Sequence, residues 1–129
     1  MKIDRNAVRN AMHAFAAALK SGNFEAACGL YAEGAVCANH NPRGLVCGRS
    51  KILDYYGKEW KNVSRGHHLQ MYLIEFALTA DGAMASCIFD WRFVDDMGVD
   101  MGGGWAAKTF VLENDEPRLL HDVMPSRRT

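Results

Sequence analysis

Residues 67–94 read HHLQMYLIEFALTADGAMASCIFDWRFV, and this stretch decides the fold. Apolar residues dominate both sides of a polar break at Gly82, which is typical of two strands joined by a tight turn. In the first strand Leu69 and Met71 project to one side and Tyr72 to the other, so both of its faces are apolar. The pattern predicts a sheet that is covered on both faces.

The neighbouring segments complete this sheet and cover it. Two further strand patterns follow, at 101–112 and 118–124, and together the four strands predict an antiparallel meander. Three helical patterns and one short strand precede them, at 4–19, 24–31, 35–38 and 50–60, and Ser50 is expected to cap the third helix. The sequence therefore predicts one α+β domain over residues 1–129, with three N-terminal helices packed on a curved, mostly antiparallel sheet.

The predicted helices can cover only one face of this sheet. An apolar face left in water favours association, and identical chains usually associate with twofold symmetry. We therefore expect a homodimer that forms through the sheet.

Composition excludes several classes of protein. The 15 basic and 15 acidic residues balance without a basic stripe, so no nucleic-acid partner is expected. No apolar run reaches membrane-spanning or signal-peptide length, which predicts no membrane partner and a cytoplasmic location. The four cysteines are widely spaced and are interpreted as reduced, buried side chains. No pattern of metal ligands occurs, so neither a metal nor a cofactor is expected.

The order of elements and several local motifs resemble the nuclear-transport-factor-2-like (NTF2-like) superfamily over nearly the whole chain. The segments that carry the resemblance are 15–25, 30–33, 48–52 and 119–122, the last being similar to the closing strand of the SnoaL-like branch. The resemblance implies a cone in which the sheet curves around the helices and encloses a pocket for an apolar small molecule. The superfamily includes isomerases, cyclases, hydrolases, dehydratases and non-catalytic binders, so the fold alone selects no function.

Ketosteroid isomerase, a member of this superfamily, combines a general-base Asp with a Tyr and a protonated Asp as oxyanion donors. Here the matching Tyr position is Phe15 and the matching base position is Asn39, and neither side chain exchanges a proton. The second Asp position falls near Lys108. Proton abstraction by that set of residues is therefore not expected.

Histidine is the side chain best suited to proton exchange near neutral pH. His121 is predicted to act as acid or base, because strand alternation places it on the side of Leu119 and Val123, the apolar and inner side. A hydrogen-bonded core histidine is the alternative interpretation.

Asp90 and Arg92 lie two residues apart on one strand and share a face, where an ion pair orients the carboxylate. They are predicted to orient His121 or a water molecule, whereas an ordinary salt bridge on the outer face is the alternative. Asn39 and Tyr55 are predicted to hold the substrate oxygen.

The remaining candidate residues are predicted to contact the bound molecule or to form the pocket wall. They are Phe15, His40, Trp60, His68 and Trp105. Large aromatic rings with a few convergent polar groups are typical of a pocket for a flat, apolar, oxygenated compound.

Three functions are compatible with these residues. The first is small-molecule binding with isomerase-, cyclase- or hydrolase-like acid-base chemistry. The second, from the resemblance to limonene-epoxide-hydrolase-like members, uses Asp90, Arg92, Asp122 and Asn39 to activate water. The third is a non-catalytic dimerisation or adaptor domain.

Overall fold

The computed structural model describes residues 2–40, 44–60 and 67–124, without the side chains of Asn39 and His40. The elements, in chain order, are α1 (Arg5–Lys20), α2 (Phe24–Cys28), β1 (Tyr31–His40), β2 (Gly44–Cys47), α3 (Arg49–Lys58), β3 (His68–Leu78), β4 (Met84–Val94), β5 (Asp100–Glu113) and β6 (Glu116–Val123). The predicted α+β class is confirmed, with the three helices on one side of a six-stranded sheet.

Helix α1 forms where the apolar periodicity predicts it. The Asp4 carboxylate caps the helix by accepting a hydrogen bond from the Ala7 amide at 2.7 Å. The buried side chains Val8, Met12 and Phe15 follow one stripe that faces the sheet. Each such side chain contributes about 1.5–3 kcal/mol when it leaves water, so the stripe fixes the helix on the sheet.

The strands lie in the order β2, β1, β6, β5, β4, β3. All neighbours are antiparallel except β1 and β6, which run parallel, so the predicted antiparallel meander of the last four strands is confirmed. Strand β2 was not predicted, because only Val46 of its residues is buried and an edge strand gives little alternation. The described parts of β1 and β2 extend into a segment that had been interpreted as a loop.

On the inner face of the sheet, large aromatic side chains of β4 lie opposite small residues of β5. Phe93, Trp91 and Phe89 lie opposite Gly102, Gly104 and Ala106, respectively. A Cβ atom on Gly104 would stand 3.4 Å from the Trp91 indole nitrogen, an ordinary van der Waals contact, so the ring packs directly against this glycine.

Two local predictions were wrong. Helix α3 is capped by Gly48, which adopts φ 90°, and not by Ser50, which lies inside the helix. Only glycine adopts that backbone conformation without strain, which explains its position before the helix. Cys47 is exposed, whereas the other three cysteines are buried.

Candidate functional site

A β-bulge decides which residues of β6 face the helices. The register between β5 and β6 shifts after Thr109, which pairs with His121, so that Phe110 pairs with Leu119. The extra residue, Leu120, reverses the alternation, and Asp122 faces inward while His121 is exposed. The prediction that His121 lies on the inner side was therefore wrong, and the interior carboxylate is Asp122.

Asp122 forms an ion pair with Lys108 in the interior of the cone. The Lys108 amine donates to Asp122 Oδ1, and both side chains are 1% exposed. Removing a single charge from water costs several kcal/mol. The attraction between the Lys108 ammonium and the Asp122 carboxylate offsets this cost. The pair places one cation and one anion inside an otherwise apolar core.

Two tyrosine hydroxyls extend this pair into a network. The Tyr31 hydroxyl donates to Asp122 Oδ2 at 2.7 Å, and the Tyr56 hydroxyl lies 3.2 Å from that of Tyr31. Burial, together with the nearby Asp122 charge, raises the pKa of both tyrosines well above the usual 10.0. Both hydroxyls therefore keep their protons at neutral pH and act as hydrogen-bond donors. We call Lys108, Asp122, Tyr31 and Tyr56 the interior polar cluster.

Two buried thiols flank the ion pair across the sheet. Cys87 pairs with Lys108 in the register of β4 and β5, and Cys37 pairs with Asp122 in that of β1 and β6. Burial raises the pKa of Cys87 to about 11 and also raises that of Cys37. Both thiols therefore stay protonated at neutral pH, so they are weak nucleophiles.

Aromatic rings from α1 and α3 close over the cluster. Phe15 meets the rings of Tyr31 and Tyr56 edge to face, each with 5.8 Å between centroids. Tyr56 also contacts Tyr55 at 5.1 Å and Trp60 at 5.2 Å. Of the predicted pocket residues, Phe15, Tyr55 and Trp60 therefore lie in the interior. The side chains of Asn39 and His40 lie outside the described part of the chain.

Asp90 and Arg92 lie on the outer face of the sheet. They alternate with the buried residues of β4, and the Arg92 guanidinium donates to Asp90 Oδ2 at 2.9 Å. Trp105, which pairs with Asp90, is 69% exposed on the same face. The prediction that these three residues face the interior was wrong, and the alternative of a salt bridge on the outer face is confirmed. The residues of the limonene-epoxide-hydrolase-like hypothesis therefore do not form one site, because the sheet separates Asp90 and Arg92 from Asp122.

His68 lies at the edge of the sheet, away from the interior polar cluster. Its ring stands between the Lys20 amine, 2.7 Å away, and the Asp96 carboxylate, 3.1 Å away, in an exposed cluster. This contact attaches the end of α1 to the turn after β4. The structure therefore gives His68 surface partners in place of the predicted pocket.

Sequence analysis missed Lys108, Tyr31 and Tyr56 as site residues. Lys108 had one usable signal, because it occupies an inward position of β5 between Ala106 and Phe110, where a lysine is rare unless it is paired. Tyr31 and Tyr56 gave none, since aromatic residues in apolar segments are ordinary core residues. Among the described residues, no group of histidine, cysteine and acidic side chains is arranged to hold a metal.

Alkaline pH is expected to destabilise the protein. A group whose pKa is raised in the folded state holds its proton more tightly there, so its stabilising contribution is complete below the unfolded pKa and is lost as the pH rises. For Tyr31 and Tyr56 this loss begins near the usual 10.0, and the buried thiols act in the same direction from near 9.0. Urea unfolding at increasing pH should show a falling free energy of unfolding, with a shallower fall above about pH 10 for Tyr31→Phe. An identical slope in that variant would contradict the burial of this hydroxyl.

Comparisons with solved structures establish the class of fold. A domain of unknown function with a cystatin-like fold from Nostoc punctiforme PCC 73102 has TM-score 0.81 and 13% identity, covering 98% of this chain and 78% of that chain. A candidate calcium/calmodulin-dependent protein kinase type II association domain from Thiobacillus denitrificans ATCC 25259 has TM-score 0.71 and 18% identity, covering 90% and 93%. A candidate dehydratase of the NTF2-like family from Streptomyces avermitilis has TM-score 0.69 and 18% identity, covering 96% of both chains. The fold is the NTF2-like cone.

The sequence itself identifies the family. Residues 8–122 match the SnoaL-like domain, and this segment includes all four residues of the interior polar cluster. The chain belongs to the SnoaL-like domain family. A comparison with curated protein sequences finds no match. Among the described residues, no helix has the length and apolar character needed to cross a bilayer.

Proposed function

We propose that the cone interior binds an uncharged, apolar molecule with one or two oxygen atoms, and that the interior polar cluster holds an oxygen of that molecule. The observation that carries this proposal is the buried ion pair of Lys108 and Asp122, joined to the Tyr31 hydroxyl inside an aromatic core. A buried ion pair commonly contributes no more stability than well-packed apolar residues of the same volume. Its presence therefore favours a role in ligand binding over a role in stability alone.

The chemistry of the cluster restricts the ligand. Lys108 and Asp122 already neutralise each other, so an added carboxylate or ammonium group would bring an unpaired charge into the core. Because the Tyr31 hydroxyl already donates to Asp122, a carbonyl or hydroxyl oxygen of the ligand would accept a hydrogen bond from Tyr56 and take the place of the Tyr31 oxygen, which lies 3.2 Å from it. Phe15 and Trp60 would form apolar walls, as predicted, and Tyr55, which was predicted to hold the substrate oxygen, would lie beside them. Because each of these three rings contacts Tyr56, ligand entry would involve rotation of the Tyr55 and Tyr56 rings, which α3 carries.

Acid-base chemistry of the isomerase, cyclase or hydrolase kind is part of the proposal, with Asp122 in place of His121. A carboxylate beside a lysine and a phenol accepts a proton from a bound molecule and returns it at a second position. Lys108 would then stabilise the negative charge that develops on the ligand oxygen. The candidate dehydratase among the similar structures supports enzymatic chemistry on this fold, as an analogy.

A ligand screen tests this proposal. The wild-type protein would be analysed by native mass spectrometry for co-purifying compounds, and by thermal unfolding with matched uncharged and carboxylate-bearing aromatic compounds. We expect the uncharged compounds to raise the melting temperature, because a ligand that binds only the native state stabilises it by about 2.7 kcal/mol at 100 times its Kd. Absence of any bound compound and of any stabilisation would contradict the proposal.

A second candidate function, self-association through the outer face of the sheet, has an observation of its own. Tyr72 and Trp105, which both pair with Asp90, expose 51% and 69% of their surface on that face. Beside them, Asp90 Oδ1 is buried and has no hydrogen-bond partner among the described residues. Exposed aromatic residues around an acceptor that lacks a donor are suited to a protein interface. We propose that a second copy of the chain covers this face, as the expected homodimer requires.

This assembly is tested by charge insertion. Trp105→Glu should weaken the dimer by about 30-fold or more, because removal of a central interface residue commonly costs at least 2 kcal/mol. Met97→Glu is the matched control, since Met97 is 86% exposed in the turn that follows β4. Light scattering over a concentration series measures the dissociation constants. Equal dissociation constants for Trp105→Glu and wild type, or a wild-type protein that is monomeric throughout, would contradict the interface.

The cytoplasmic location predicted from the sequence remains a proposal. It rests on four cysteines without a disulfide among the described residues, a state that a reducing compartment favours.

A further inference from the structure

Lys108 differs from every other lysine in the part of the chain that the structure describes. Its residue is 2% exposed, whereas Lys2, Lys20, Lys51 and Lys58 are all exposed. A lysine amine that is held away from water is a nucleophile for carbonyl compounds once an adjacent base has removed its proton. Lys108 is buried, and Asp122 is the adjacent base.

The surroundings of Lys108 contain the groups that such chemistry needs. Asp122 Oδ1 contacts the amine directly and accepts its proton, while Tyr31 donates to Asp122 Oδ2 and fixes the carboxylate in position. The inward neighbours on the same strand are Ala106 and Phe110, and both are apolar. The site therefore combines an amine, a proton acceptor and apolar surroundings.

We propose that Lys108 forms an imine with the carbonyl carbon of an apolar aldehyde or ketone bound in the cone. This inference rests on the proposed function, because it requires that the interior admits an uncharged oxygenated molecule. It narrows the ligand class to carbonyl compounds and gives Lys108 a covalent role.

The reaction balances within the ion pair. Asp122 takes one proton from the Lys108 ammonium, and the neutral amine adds to the carbonyl carbon, giving a carbinolamine after proton transfer from nitrogen to oxygen. Asp122 returns its proton to the carbinolamine hydroxyl, which leaves as water while the carbon-nitrogen double bond forms. The product is a protonated imine with the same single positive charge as the original ammonium. The Asp122 carboxylate therefore faces a cation before and after the reaction, both groups are neutral in between, and no oxidant, reductant or metal is required.

The fate of the imine follows from its charge. A protonated imine withdraws electrons from the adjacent carbon, so a proton on that carbon becomes easier to remove. Asp122 would accept this proton and give an enamine, and return of the proton to another carbon of the bound molecule would complete an isomerisation. The aromatic closure over the site excludes water and protects the imine from hydrolysis.

Reductive trapping tests the proposal on the whole wild-type chain. The protein is incubated with 3-phenylpropanal and sodium cyanoborohydride, which reduces an imine to a stable secondary amine, and the modified lysines are then located by peptide mass spectrometry. We expect Lys108 to be modified at least about 10-fold faster than the exposed lysines, with saturation as the aldehyde concentration rises, because binding raises the local concentration of the carbonyl group. The alcohol 3-phenylpropanol, which cannot form an imine, should slow modification of Lys108 only.

Two variants and one binding measurement separate the outcomes. Lys58→Arg, at an exposed lysine that pairs with Asp54, should leave trapping at Lys108 unchanged, whereas Asp122→Asn should slow it by removing the proton acceptor. If 3-phenylpropanol raises the melting temperature while Lys108 stays unmodified, the imine is excluded and the proposed binding function stands. If neither compound stabilises the protein and only exposed lysines react, both proposals are excluded.

Discussion

The Lys108→Met substitution is expected to lower the free energy of unfolding by about 3–5 kcal/mol, because it leaves the Asp122 carboxylate buried without its cation. The double variant Lys108→Met with Asp122→Leu should recover most of this loss, since it replaces the pair by apolar groups of similar size. Urea unfolding monitored by circular dichroism at neutral pH measures both effects.

A surface ion pair supplies the control for this comparison. Lys58 contacts Asp54 at 2.9 Å one helical turn away, with side chains 71% and 55% exposed. Lys58→Met should cost less than about 1 kcal/mol, because water screens an exposed pair. If Lys108→Met costs no more than this control, the pair of Lys108 and Asp122 is not buried as the structure describes it.

Two tryptophans on opposite faces of the sheet give the second large expected difference. Trp91 is 1% exposed and packs against Phe93 with 5.2 Å between ring centroids, whereas Trp105 on the next strand is 69% exposed. Trp91→Ala should cost about 3–5 kcal/mol, because it removes a core ring and leaves a cavity.

Trp105→Ala is the matched comparison, since it removes the same side chain from the outer face. In a dilute sample, where self-association does not contribute, it should change the free energy of unfolding by less than about 0.5 kcal/mol. Equal losses for the two variants would contradict the assignment of inner and outer faces, on which the position of every site residue depends.

The fold could be predicted from the sequence because several residues indicate each helix and each long strand. The stripe of Val8, Met12 and Phe15 specifies α1, and the alternation of β4 and β5 specifies long strands, each supported by several residues. A single irregularity does not alter such a pattern. The helices and the antiparallel meander were therefore predicted. The edge strand β2 was missed, and the second helix was predicted to extend to Tyr31, which instead begins β1.

The site was harder to predict from the sequence because it depends on the face toward which single residues point. One extra residue at Leu120 reverses the alternation of β6, so the sequence argument selected His121 where the structure places Asp122 inside. No feature of the sequence marks that bulge. On β4 the alternation is regular, but sequence alone did not establish which face the helices cover, and Asp90 with Arg92 was assigned to the wrong side.

The ligand-binding role of the interior polar cluster is tested most directly by comparing wild type with the double variant Lys108→Met and Asp122→Leu. Titration calorimetry would use the uncharged compound that most stabilises the wild-type protein. The account predicts that the double variant is folded and stable, and that it binds this compound at least about 10-fold more weakly, a loss of about 1.4 kcal/mol. A folded double variant with undiminished affinity would show that the ion pair serves the core and not a ligand.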